Sequence, residues 1–337
     1  MHRSGTSAMA RVVNLLGVFL GHDLRPPAPH NPRGLWEHKE IVDTHEEICR
    51  VLKRRWFSSL SPLPNNWWLF EEIVPLGQKI VQIVRRDFSE SAAWGLKDPR
   101  LCRLLPLWMS VFRELNCKPC FLHVVRHPLE VSASIRRRDG LPTSMPILLW
   151  LQHVLDAERL TRGHPRVFVR FEQLLRDWRS TMERVAMTLD WQWSNSPETA
   201  AEEIEEFLCP GLKHHDSTEM STNHPSKAVP WSIEAYAALY EATESNDMRL
   251  SAVLSRIHCD LDREMRSHLA KLLTEDLEQE VMSSMRVRVE LKSVREQLNM
   301  VRSDLHEVLH SRSWKITRPL RYCLDMWNRT VGGPSKK

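Results

Sequence analysis

Phe121-Leu122-His123-Val124-Val125 is a β-rich apolar run that stops at Arg126-His127-Pro128. A run of this kind fits a strand covered on both faces, as the strands of a parallel sheet are. Val167-Phe168-Val169 has the same character, and Trp94-Gly95-Leu96-Lys97 is a third short strand candidate. Helical patterns surround them over residues 7–20, 38–56, 70–87, 129–138, 146–162 and 171–189. Strand and helix in alternation predict an α/β fold with a central parallel sheet.

The chain has 337 residues, 42% hydrophobic and 27% charged, enough for one large domain with an appendage. Its formal charge of +4 suits an anionic ligand but gives no argument for nucleic acid. Seven scattered cysteines read as reduced thiols, hence a cytoplasmic location. Cys117-Lys118-Pro119-Cys120 has redox spacing, but it precedes a strand rather than opening a helix, so an incidental pair is expected. The apolar part of the first twenty-one residues is short and interrupted by Asn14, and no cleavage signal follows it. No stretch approaches the roughly 20 apolar residues of a spanning helix.

His2-Arg3-Ser4-Gly5-Thr6-Ser7 leads straight into an amphipathic helix. A helix start offers unpaired N–H groups and a positive dipole end. Gly5 lets the backbone approach an anion, the hydroxyls of Ser4, Thr6 and Ser7 add donors, and Arg3 adds a cation. The six residues therefore read as a phosphate cradle. The lysine of the nucleoside-triphosphate loop, G-x-x-x-x-G-K-[ST], is absent. A second element lies at the end of the first strand. Arg126 occupies the C-terminal end, where open α/β sheets bind ligands, and Ser134 follows eight residues on. An arginine fork and a hydroxyl at this spacing can close on one phosphate.

Together, Arg3-Ser4-Gly5-Thr6 and Arg126 with Ser134 resemble the two phosphate motifs of the sulfotransferases that use 3′-phosphoadenosine 5′-phosphosulfate (PAPS). Asn31-Pro32-Arg33-Gly34-Leu35-Trp36-Glu37 and Leu96-Lys97-Asp98-Pro99-Arg100 resemble segments of the bacterial and Golgi-type branches, and Phe171-Glu172-Gln173-Leu174-Leu175 a later one. The resemblance covers roughly residues 1–230. It implies a P-loop-like three-layer α/β/α fold and in-line transfer of a sulfuryl group from PAPS to a hydroxyl, with no metal. By the same resemblance, Arg3 with Gly5 and Thr6 would hold the 5′ phosphosulfate, and Arg126 with Ser134 the 3′ phosphate. Lys97 would steady the leaving oxygen and Glu37 would serve as the base, with His38, Glu40 and His45 as rivals. Lys213-His214-His215-Asp216 would supply basic contacts rather than a metal site. The family's loop is preceded by its first, central strand. Here the loop starts at residue 2, so that strand is expected to be missing, as from a start site set too late.

After about residue 260 the pattern changes. Leu291, Val294, Leu298, Val301, Leu305 and Val308 step by three and four, with charges between them. This heptad seam predicts a long helix over 270–310 able to form a coiled coil, and through it a homodimer. The basic, aromatic tail resembles one that follows coiled coils in bacterial surface-polysaccharide glycosyltransferases. It implies a carbohydrate or glycolipid acceptor and a peripheral contact with the inner membrane face. The expected division is 1–262 for catalysis, 263–312 for the coiled coil and 313–337 for the tail.

Overall fold

The computed structural model describes residues 1–53, 63–142, 144–208, 228–242, 248–266 and 268–310. Lys213–Asp216 and the tail lie outside them. The chain divides into two units, Met1–Leu277 and Glu278–Lys337.

The first unit is a mixed α/β body dominated by helices. Strand β1 (Phe121–Val125) pairs in parallel with β2 (Arg166–Arg170), Phe121 opposite Arg166 and Val125 opposite Arg170. Helices α5 (Pro128–Asp139) and α6 (Ser144–Leu160) connect them, since parallel strands need a crossover. Before β1 come α1 (Thr6–Leu15), α2 (Lys39–Val51), α3 (Val74–Phe88) and α4 (Leu101–Glu114). After β2 come α7 (Phe171–Arg176), α8 (Trp178–Leu189), α9 (Pro197–Phe207), α10 (Ala228–Ala242) and α11 (Met248–Arg266).

The third strand candidate is corrected. Trp94–Lys97 is not a strand; Trp94 makes a single parallel bridge to Phe19. Phe19 N–H donates to the Ala93 carbonyl at 3.0 Å and Gly95 N–H to the Phe19 carbonyl at 2.8 Å. One residue of partner backbone supports a bridge and no ladder. An apolar cavity of about 290 Å³ lies beside this bridge, and Met9, Val13, Leu20, Leu96, Leu122 and Val124 are among its walls. It explains why Phe121 to Val124 are only half-buried, where coverage on both faces was expected.

Several helix boundaries also differ from the periodicity: α2 stops at Val51 rather than 56, α3 starts at Val74 rather than 70, and two further differences have a visible cause. The first helix stops at Leu15 rather than running to Leu20, because Gly17 takes a left-handed φ of 100°. A Cβ there would sit 2.7 Å from Ser194 Cβ, so a side chain is excluded. The helix expected over 171–189 breaks at Asp177, whose carboxylate accepts the Ser180 N–H at 3.1 Å and caps α8. His123, the one polar residue in β1, stacks on Phe168 at 4.8 Å and hydrogen-bonds Thr161 at 3.0 Å.

Two core clusters flank the sheet. One joins α1, β2, α7, α8 and α9 around Val12, Val169, Leu174 and Val185. The other joins α2, α3 and α4 around Ile41, Ile80 and Trp108. The first cluster fixes the loop ahead of α1, and the second fixes the segments that carry Glu37 and Lys97.

α12 (His268–His310) is one helix of 43 residues, the long helix that the heptad pattern predicts. Within the second unit its seam side chains Leu291, Val294, Leu298, Val301 and Leu305 are exposed. Among the described residues, no helix is long and apolar enough to cross a membrane.

Candidate functional site

The loop ahead of α1 turns through two left-handed residues, Arg3 at φ 63° and Gly5 at φ 87°. Gly5 has no substitute, since a Cβ there would lie 2.1 Å from the Phe171 ring. This turn points the first N–H groups of α1 toward a polar cleft of about 340 Å³. Arg3, Gly5, Thr6, Ser7, Lys97 and Arg126 all line it. Ser4 is buried beneath the loop and does not line the cleft.

The two predicted phosphate elements meet. Arg3 Nε donates to Ser134 Oγ at 2.7 Å, across 131 residues of chain. Arg126 Nη1 donates to the Arg3 carbonyl at 3.3 Å and Nε to Glu130 at 3.0 Å. The guanidinium of Arg126 also lies over the Phe171 ring, 5.0 Å from its centre. Its Nη2 is buried with no hydrogen-bond partner among the described residues. Such a donor is costly unless an acceptor reaches it, so this atom fits an anion's oxygen. Ser134 is buried behind Arg3 and touches the cleft through it.

Charge in the cleft is lopsided. Arg3 forms no ion pair among the described residues; it donates to the His30 carbonyl at 2.7 Å. Burial lowers its pKa, and the nearby Arg138 and Arg126 guanidiniums lower it further. Burial, Arg138 and Arg3 likewise push His30 below its ordinary value. Arg126, Arg138, Arg100 and Lys97 each have a carboxylate partner, so it is the guanidinium of Arg3 that favours an anionic occupant.

Lys97 and Glu37 stand together beside the loop. Lys97 Nζ donates to Glu37 Oε1 at 2.6 Å, to Ser7 Oγ at 3.1 Å and to the Leu35 carbonyl at 3.0 Å. Asn31 donates to the same Ser7 oxygen at 3.0 Å. Burial pushes the Lys97 ammonium below its ordinary pKa, against the pull of Glu37. The pair places a carboxylate and an ammonium against the first turn of α1, which Lys97 reaches at Ser7, on the cleft wall.

The three rivals of Glu37 are occupied elsewhere. His38 caps α2 and contacts Asp87 at 3.0 Å. Glu40 pairs with Arg86 at 2.7 Å. His45 is fully buried; Trp108 Nε1–H donates to its Nε2 at 2.8 Å, which leaves the proton on Nδ1 facing Asp98 at 2.8 Å. Burial alone would raise the Asp98 pKa. Arg100 and the His45 hydrogen bond outweigh it and hold the carboxyl well below the usual range. Asp98 thereby anchors the segment that presents Lys97. Cys117 and Cys120 are free thiols raised in pKa by burial, the opposite of a redox thiolate.

His2 of the expected cradle lines the cleft too, and so do Arg25, His30, Arg100 and Arg138, to which sequence reasoning gave no role. Arg138 closes the run Arg136-Arg137-Arg138 at the end of α5. A charge run is ordinarily a solvated face, so nothing in it marks which arginine turns inward. No protein-family model matches the chain, and neither a curated protein nor a solved structure matches it.

Proposed function

We propose that this chain is a PAPS-dependent sulfotransferase. The observation that carries the reading is one cleft holding both the Arg3–Arg126 cation pair and the Lys97–Glu37 pair. In this reading the Gly5–Thr6 amides and Arg3 bind the 5′ phosphosulfate, and the free Nη2 of Arg126 takes the 3′ phosphate. Ser134 holds Arg3 in place. The acceptor oxygen bonds to sulfur as the S–O bond to the 5′ phosphate breaks. The acceptor's proton passes to Glu37, and Lys97 stabilises the charge left on the phosphate oxygen. The products are a sulfate ester and 3′-phosphoadenosine 5′-phosphate (PAP).

A P-loop-like three-layer arrangement is the finer fold that this reading implies. A carbohydrate or glycolipid hydroxyl is the acceptor proposed, with self-association through α12 and a cytoplasmic place at the membrane's inner face.

Calorimetry with PAP, and transfer of labelled sulfate from PAPS to bacterial polysaccharide and glycolipid fractions, test the reading. Micromolar PAP binding together with labelled product supports it. Absence of PAP binding by the folded chain sinks it. Binding of magnesium ATP in preference to PAP would turn the assignment to a kinase. A second reading, a non-catalytic scaffold, draws on the exposed seam of α12; absence of nucleotide binding with self-association intact would favour it.

A further inference from the structure

The seam of α12 has a register that can be read residue by residue. Taking Leu291 as position a of a heptad places Leu298 and Leu305 at a as well. Val287, Val294, Val301 and Val308 all then fall at d. The seam is thus leucine at every a position from 291 onward and valine at every d position from 287 onward. Val287, Leu291, Val294, Leu298, Val301 and Leu305 are each 53–63% exposed. Six apolar side chains on one stripe of a straight helix are an interaction surface.

The flanks of the stripe fix the partner and its direction. Position e is arginine three times, Arg288, Arg295 and Arg302. Position g is Glu290, Gln297 and Asp304. Between parallel helices, g of one chain meets e of the next heptad on its neighbour, which joins Glu290 to Arg295 and Gln297 to Arg302. Between antiparallel helices, e meets e and g meets g, which sets arginine on arginine and acid on acid. On the outer face Lys292 reaches Glu296 at 4.0 Å within the helix. The complement to this surface is therefore the same surface on another copy of the chain, running the same way.

The choice of side chains fixes the number of copies. In a two-stranded coil the d side chain points straight at its partner, and a β-branched residue packs poorly there. With leucine at a and a β-branched residue at d, the preference moves to assemblies of more than two helices. Four helices turn the d side chains sideways, into holes that a branched Cβ fills.

We propose that α12 joins four copies of this chain in a parallel, in-register coiled coil. The proposal is independent of the reading of the cleft and goes beyond a homodimer.

Sedimentation equilibrium of the full chain gives the first test. Four chain masses are expected; one, two or three overturn the proposal. Direction is read from Ser284→Cys, placed at position a above Leu291. Mild oxidation should link chains in pairs beyond the wild-type background, and a tetramer that fails to link overturns the parallel arrangement. The packing argument is read from exchanging the seam: L291I, L298I and L305I with V294L, V301L and V308L. This variant keeps the apolar stripe and should fall to two chain masses; a mass still at four overturns the side-chain basis of the number.

Discussion

Two cavities open on either side of the same loop, and they differ in kind. Thr6, Lys97 and Pro99 border both. On one side the walls are Met9, Val13, Leu20, Leu122 and Val124, apolar groups from α1, β1 and the stretch around Phe19. On the other they are guanidiniums, an ammonium and the start of α1. The difference teaches what a site costs. The apolar side makes mostly van der Waals demands on its walls, with the buried Trp193 Nε1–H as a donor without a partner among the described residues. The polar side keeps a buried donor on Arg126 unused and crowds cations together, an arrangement that persists in a fold when an anion makes use of it.

The comparison breaks most visibly at Glu37. Glu37→Gln should keep PAP affinity within a factor of about two while turnover falls by roughly 10²–10⁴, the usual contribution of a general base. Full turnover in that variant removes Glu37 from the chemistry. Lys97→Ala should cost about 10²–10³ in rate, as removal of one preorganised donor does. If PAP affinity alone fell and turnover held, Lys97 would be a binding group only.

Two matched substitutions sharpen the contrast between the cavities. Arg126→Ala should weaken PAP binding by about 1.5–3 kcal/mol, roughly ten- to a hundredfold in Kd, and should also lower the denaturation midpoint, because it leaves Glu130 a buried carboxylate without its partner. Met9→Ala, on the apolar wall, should act on stability alone. It should lose about 2 kcal/mol of stability, the low end for a buried methionine beside existing space, and leave Kd unchanged. Equal effects on Kd from both would show that the two cavities act as one.

A further effect is one of pH. Burial pushes His123, which faces the apolar cavity, and His153 down to about 3. Their unfolded values lie near 6.5, so between about 6.5 and 3 the unfolded chain binds protons that the folded chain refuses. Stability should be intact above this window and fall as pH drops through it, by about 1.4 kcal/mol per pH unit for each histidine. Denaturant titrations from pH 7 to pH 4 measure the slope. His123→Phe should remove about half of this contribution, and an unchanged slope would acquit His123.

Much of the site could be read ahead of the structure because its pieces are local. The Gly5 turn, the strand end at Arg126 and the position of Ser134 each depend on a few neighbouring residues. Trp94–Lys97 could not be read correctly, because strand formation there depends on how much backbone Phe19 offers across the chain. Asp177 looked like one more residue in a helical pattern, yet its side chain caps α8 and ends α7. The inward turn of Arg138 out of a three-arginine run was equally hidden, since helical phase alone does not say where a long flexible side chain will lie.

The sequence by itself determined what depends on near neighbours: the anion-binding turn, the two strands, and the register of α12 with its leucine and valine positions. These follow from backbone sterics and from the periods of helix and strand, which act over a few residues. Tertiary structure decided which distant groups meet. It set Lys97 against Glu37 across 60 residues and Arg3 against Ser134 across 131, and it drew His38, Glu40 and His45 into other bonds. Those meetings depend on how two core clusters pack around one small sheet, and packing is a property of the whole chain.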